Sequence, residues 1–162
     1  MFKNAYGRGS YLIEKSYFQS PIGQLEILSD NKWVYGLNIS KKKPSISSEH
    51  ILAKKVHKQL REYFQNKRTK FELPLKFQGT DFQVKVWKAL KRIPFGKTQS
   101  YSETAKKIKL PKAIRAVGTA CGKNPFLILV PCHRVVAQNG DLGGFSAELK
   151  NKEFLLSHES FL

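Results

Sequence analysis

The chain has 162 residues, 41% of them apolar, enough for one compact domain or two small ones with buried cores. Its 29 Lys and Arg against 12 Asp and Glu give a formal charge of +17, so a polyanion is the expected partner, nucleic acid first, although a compositional bias toward Lys gives the same number. No segment approaches transmembrane length, Met1 to Ser10 lacks the apolar block of a secretory signal, and two Cys with four His show no CxxC or HxxxH pairing, which argues against a disulfide framework and a structural zinc.

A free thiol is best preserved in a reducing compartment, so a cytoplasmic, nucleoid-associated protein is expected, with no metal and no cofactor. Lys15–Ser20, Gln24–Ser29 and Trp33–Ile39 are short aromatic and aliphatic runs separated by Pro21-Ile22-Gly23 and Asp30-Asn31-Lys32, the pattern of an antiparallel meander. Lys41 to Ser48 reads as a basic, polar loop, with Ser48 placed to cap a helix in which Leu52, Val56, Leu60, Tyr63 and Phe64 recur at helical spacing. Phe71 to Phe77 is extended, and Pro74 confines it to a sheet edge. The expected fold is α/β of the α+β kind. Residues 1–76 form a small antiparallel sheet with a helix, a scaffold, and residues 77–162 form a mainly helical domain.

That second half opens with Gly79-Thr80-Asp81 as turn and N-cap of a helix carrying Phe82, Val86, Trp87 and Leu90 on one side. Ile93 to Gly96 ends it. Ser100 to Ser102 starts a short helix through Ile108, and Pro111 is placed as the first residue of another that Gly122 terminates, so the pair resembles a helix-turn-helix. On a helical wheel Ile114, Val117 and Cys121 share one face, which marks Cys121 as a core thiol. Lys112, Arg115, Thr119 and Lys123 form another face, and between them runs a strip of Ala113, Ala116 and Ala120. Such a slim basic surface suits a nucleic-acid groove; tight packing against a neighbouring helix is the alternative. Between Phe82 and Arg134 twelve Lys or Arg stand against Glu103 alone.

Asn124-Pro125 leads into Leu127 to Val136, an apolar run interrupted by Cys132, His133 and Arg134. A buried strand has no reason to carry a thiol, an imidazole and a guanidinium together. Thiolate is the nucleophilic form of cysteine, and neighbouring His or Arg lowers a thiol pKa, so Cys132 is a candidate nucleophile, a small buried hydrophobe being the alternative. Pro131 ends regular strand pairing and leaves Cys132 in a turn or at a strand edge. Contact between the adjacent Cys132 and His133 side chains then needs a turn or a bridging water. Ala137 to Gly144 is a glycine-rich bend, and Ser146 caps a last helix with Leu149, Glu153 and Leu156 on one side. Glu159 follows the flank of that side, where a carboxylate needs a partner such as His133.

In order and spacing, Gly79-Thr-Asp-Phe-Gln83, Val86-Trp87, Ile93-Pro-Phe-Gly96, Ser100-Tyr101, Arg115-Ala-Val-Gly118, Gly122-Lys-Asn-Pro125, Pro131-Cys-His-Arg-Val135 and Leu142-Gly-Gly144 resemble the 6-O-alkylguanine-DNA alkyltransferases. The resemblance covers about the C-terminal half, Gly79 to Glu159; earlier, only Ser20-Pro-Ile-Gly23 and the strand-helix order look similar. It implies a DNA-repair function in which Cys132 takes the alkyl group, His133 activates it through water, Glu159 orients His133, and Tyr101 assists the departing guanine. It further implies that Arg115 fills the gap left in the duplex, that Asn124 is a hinge, and that Val135 (through its carbonyl) and Ser146 belong to the guanine pocket. The implied partner is double-stranded DNA carrying 6-O-alkylguanine, entered through the minor groove by a helix-turn-helix that includes Lys112, Ala113, Ala116, Thr119 and Lys123. A monomer with a single turnover is expected, with cooperative assembly on DNA left open.

Phe145-Ser-Ala-Glu148 departs from the family pattern, and side chains at Ala147 and Glu148 are expected to narrow the pocket or change the approach to phosphates, with methyl adducts reacting faster than bulky ones. Competing readings are a lesion-binding protein without transfer, against which Cys132 argues, a basic helix-turn-helix regulator and a cysteine hydrolase.

Overall fold

The computed structural model describes residues 12–45 and 47–160. The N-terminal stretch read above as lacking a secretory signal lies outside them. The chain divides between Lys76 and Phe77 into two compact units.

In the first unit, β1 (Glu14–Ser20), β2 (Gly23–Ser29) and β3 (Val34–Ile39) form the expected antiparallel meander in the order β1-β2-β3. Leu25 and Ile27 face inward by alternation, and a register shift in the β2–β3 pairing lets both Val34 and Leu37 join them, all fully buried. Helix α1 (Ile51–Phe64) contributes Leu52, Val56, Leu60 and Tyr63 to the same core, at the spacing the sequence carries. Its cap is not Ser48. His50 is the N-cap, its Nδ1 accepting from the Ala53 N–H at 3.1 Å, while the Ser48 hydroxyl donates to the Glu14 carboxylate. Leu75 makes a parallel bridge to Val34, so the segment around Pro74 lies along the β3 edge.

The second unit begins with α2 (Asp81–Leu90), fixed by a capping box in which Thr80 Oγ1 accepts from the Gln83 N–H and the Gln83 side chain accepts from the Thr80 N–H. A second capping box, Ser100 with Glu103, starts α3 (Tyr101–Lys107). Helix α4 (Ile114–Gly122) begins three residues later than the sequence suggests. Pro111 and Lys112 lie in the turn, and Ala113 is an N-cap without a side-chain hydrogen bond. The Leu110 N–H donates to Ala105 O and the Ala113 N–H to Leu110 O, so the turn's backbone groups are used before the helix starts. Helix α4 is anchored from below: Trp87 Nε1 donates to Ala120 O at 2.8 Å, and Ala120 is buried. The alanine strip is therefore not one exposed surface; Ala116 faces out and Ala120 packs inward.

Two short strands, β4 (Gln99–Ser100) and β5 (Val135–Val136), pair in parallel and bring the start of α3 beside the segment that follows Cys132. The last helix, α5 (Leu149–Ser160), corrects the sequence reading twice. It starts beyond Ser146, directly after Glu148 at φ +70°, and its inward face carries Asn151, Lys152, Leu155 and Glu159, whereas Leu149 and Glu153 are exposed. The apolar pattern misled because two inward side chains are charged and find polar partners inside. Among the described residues no helix is long and apolar enough to cross a membrane.

Candidate active site

Cys132 opens a 3₁₀ turn, Cys132–Arg134, at the end of a tightly folded loop. Ile128 in that loop is buried at φ +68°, a conformation that costs a β-branched residue about 1–3 kcal/mol and is held by the bonds Leu129 N–H to Leu127 O and Val130 N–H to Phe126 O. Asn124 organises the same loop. Its Nδ2 donates to Val130 O at 2.8 Å and to Cys132 Sγ at 3.2 Å, while its Oδ1 accepts from the Phe126 N–H.

The turn sends the side chains of adjacent residues to different places. Cys132, 6% exposed, lines a cavity of about 590 Å³ together with Tyr101, Arg115, Thr119, Ser146 and Cys121. His133 lies outside that lining, fully buried, with Nε2 2.7 Å from Glu159 Oε1. Arg134 donates to the same carboxylate through Nε (2.8 Å) and Nη2 (2.9 Å), and through Nη1 to Ile93 O. One carboxylate therefore neutralises the Arg134 guanidinium and holds the His133 imidazole.

This corrects the expectation that His133 and Arg134 lower the Cys132 pKa. Burial pushes the thiol up, only partly offset by the Asn124 hydrogen bond and the Lys152 charge. Burial likewise pushes the His133 imidazole down despite Glu159. Burial acts to raise the Glu159 carboxyl, but hydrogen bonds from His133 and Arg134 override it and hold it well below the usual carboxylate range. A neutral imidazole facing an ionised carboxylate carries its proton on Nε2, leaving Nδ1 as acceptor. His133 Nδ1 is the one buried side-chain polar atom among the described residues without a hydrogen-bond partner.

Sequence reasoning missed Lys152. Fully buried on α5, its ammonium donates to Val135 O at 2.6 Å, to Leu142 O and to Gly144 O at 3.3 Å, tying the glycine-rich bend to β5. Nothing in Lys150-Asn151-Lys152-Glu153 distinguishes it from a solvated surface. Lys152→Met is expected to leave those carbonyls underused, at about 1–3 kcal/mol. Thermal unfolding should read that loss, and limited proteolysis should cut faster near Leu142 to Gly144.

Gly143 lies in the same bend at φ +70°, where a Cβ would stand 2.9 Å from the Tyr101 hydroxyl, so glycine permits the bend to close on that ring. Burial, with Cys121 and Cys132 nearby, raises the Tyr101 pKa and keeps the phenol protonated. Cys121 is buried as expected, yet it also lines the cavity, and burial first, then Cys132, pushes its thiol up to about 12.

Lys112, Ala113, Ala116 and Lys123 do not line the cavity; Lys112, Ala116 and Lys123 are exposed and Ala113 is half-buried. Val135 is buried outside the lining, with its carbonyl held by Lys152. Ala147 and Glu148 do not narrow the cavity either: neither lines it, and Glu148 is exposed, 3.0 Å from Lys150. Among the described residues no three His, Cys, Asp or Glu side chains are grouped to hold a metal ion.

Two family models match the chain: "6-O-methylguanine DNA methyltransferase, ribonuclease-like domain" over residues 13–77 and "6-O-methylguanine DNA methyltransferase, DNA binding domain" over residues 81–161. The likeness thus extends through the first half, further than the motifs alone suggest. A methylated-DNA–protein-cysteine methyltransferase of Methanosarcina acetivorans is 42% identical over 148 residues, 88% of this chain and 95% of the relative. That of Haemophilus influenzae is 38% identical over 151 residues, 89% and 84% of the two chains. The crystal structure of Mycobacterium tuberculosis OGT in complex with DNA superposes with a TM-score of 0.84 at 38% identity, covering 91% of this chain and 92% of that one.

Proposed function

As the chain belongs to the 6-O-methylguanine DNA methyltransferase family, we propose that Cys132 is the sulfur through which it acts as a methylated-DNA–protein-cysteine methyltransferase. It binds DNA and repairs it by alkyl transfer. The second unit, residues 77–162, carries both tasks, and the first is its scaffold. The observation that carries the assignment to Cys132 is its position: the sulfur lines a cavity shared with the Arg115 helix, and a buried His133–Glu159 pair stands behind it.

The damaged base cannot reach a protein sulfur while stacked, so it is rotated out of the duplex at a cost of a few kcal/mol. Arg115, the exposed second residue of α4, occupies the vacancy from the minor-groove side. His133 Nδ1 takes the Cys132 proton through a water, with Glu159 holding the imidazole in the required tautomer. A sulfur–carbon bond forms as the carbon–oxygen bond at guanine O6 breaks. The electron pair goes to guanine, and the proton that His133 took from the thiol ends on the guanine, which leaves neutral. The Tyr101 hydroxyl donates to the base as charge develops there. Asn124 holds Cys132 and its loop in register, and Ser146 borders the base. The thioether is not readily hydrolysed, so each monomer acts once, in the cytoplasm at the nucleoid.

The test uses duplex DNA with labelled methyl on guanine O6. One equivalent of label on the peptide containing Cys132 supports the proposal; methyl release with repeated turnover, or binding without transfer, overturns it. Arg115→Ala should slow duplex transfer about 10–100-fold, read in single-turnover time courses, because base rotation loses its compensation.

A further inference from the structure

Among the described residues six large apolar side chains are exposed, and two of them, Leu110 (42%) and Ile114 (43%), stand four residues apart on the helix-turn-helix. Leu110 is fixed in the turn by its N–H bond to Ala105 O, and Ile114 is the first residue of α4, next to Arg115 and on the cavity wall with Cys132. Single exposed apolar residues are ordinary. An exposed apolar pair four residues apart, Ile114 on the cavity wall and Leu110 in the turn before it, with exposed Lys109, Lys112 and Arg115 around them and no acidic residue from Lys106 to Arg134, is a surface shaped for one kind of partner. The charge excludes an acid-poor or basic protein and fits a polyanion; the apolar tips fit the sugar edges and base faces inside its groove.

Resting on the function proposed above, we infer that Leu110 and Ile114 form an apolar wedge that enters the minor groove beside the lesion and shares with Arg115 the work of unstacking the damaged base. Apolar side chains inserted at a base step replace stacking contacts that water does not. Arg115 supplies charge and hydrogen bonds for the orphaned partner base; Leu110 and Ile114 supply the apolar surface. They are positioning residues and do not touch the reacting carbon.

The test compares the full-length Leu110→Ala/Ile114→Ala protein with the wild type on one methylated strand, presented single-stranded and in duplex. Duplex transfer should fall about tenfold or more and single-strand transfer less than about threefold, because only the duplex must be opened. The paired variant Leu110→Met/Ile114→Leu should retain the duplex rate, and a mismatch opposite the lesion should restore much of the alanine variant's loss. Parallel loss on both substrates would make the pair a support of the fold or pocket, and no loss on either would mean that the face stays clear of the groove; both overturn the inference. Absence of transfer from either substrate in the wild type would instead sink the function proposed for Cys132.

Discussion

Cys132→Ala protein is expected to take up no label from methylated duplex while still binding it, a loss on the order of a thousandfold or more, as when the nucleophile is removed from a site built around it. Stability should barely change. The substitution removes one small side chain at a cavity wall and a single hydrogen bond from Asn124. Cys121→Ala is the informative partner experiment, because both sulfurs line the same cavity and only geometry and activation distinguish them. With its thiol pushed up to about 12, Cys121 should accept nothing, and Cys121→Ala should transfer within about threefold of the wild-type rate. Label on Cys121, or residual transfer in Cys132→Ala, would move the chemistry to the other sulfur.

The two site pKa directions also set a pH profile. With the imidazole depressed and the thiol elevated, His133 is neutral and Cys132 is protonated across neutrality. Transfer should then be level around neutral pH. It should fall only as acid protonates His133, below the ordinary imidazole value near ~6.5. A rate tracking a depressed thiol pKa would instead fit the picture drawn from the neighbouring residues alone.

That contrast marks what was legible in the sequence. The meander could be read because each run is aromatic or aliphatic and ends in turn residues, and the starts of α2 and α3 because Gly79 to Asp81 and Ser100 to Ser102 carry local start signals, which the structure completes as capping boxes of Thr80 with Gln83 and Ser100 with Glu103. The candidate site is legible because the Pro131 to Val135 motif is compact, and the Glu159 contact with His133 because a carboxylate on an inward flank needs an answer. The start of α4 was missed because Pro111 is equally suited to a helix N-terminus and to the turn before one. The inward face of α5 was misread because Lys152 is buried by three carbonyls contributed from elsewhere in the unit, a contact no window along the chain contains. The Cys132 pKa runs opposite to what its neighbours suggest for a related reason: adjacency in sequence is not adjacency of charge, because His133 and Arg134 both bond to Glu159.

Glu159→Gln should give the other large effect, on stability and transfer together. The wild-type carboxylate accepts from His133 Nε2 and from two Arg134 nitrogens, and it is 1% exposed. An amide of the same shape leaves the Arg134 guanidinium buried without a counter-charge, at about 3–5 kcal/mol, or roughly 10 °C in Tm for a chain of this size. The amide NH₂ also favours the other tautomer of His133, in which Nδ1 carries the proton and cannot accept one, so transfer should fall by about 10²–10⁴, the usual worth of a general base. The acid limb of the stability curve should change as well. Glu159 has a depressed folded pKa, so its contribution is complete above the ordinary carboxyl value near ~4.3 and is lost as pH falls below it; Glu159→Gln should flatten the decline in Tm there. Adding Arg134→Met separates the two effects. Without the orphaned cation the double variant should regain much of the lost Tm, but His133 still lacks its carboxylate and transfer should stay slow. If restored stability brings transfer back with it, Glu159 supports only the fold, and another group must orient the imidazole.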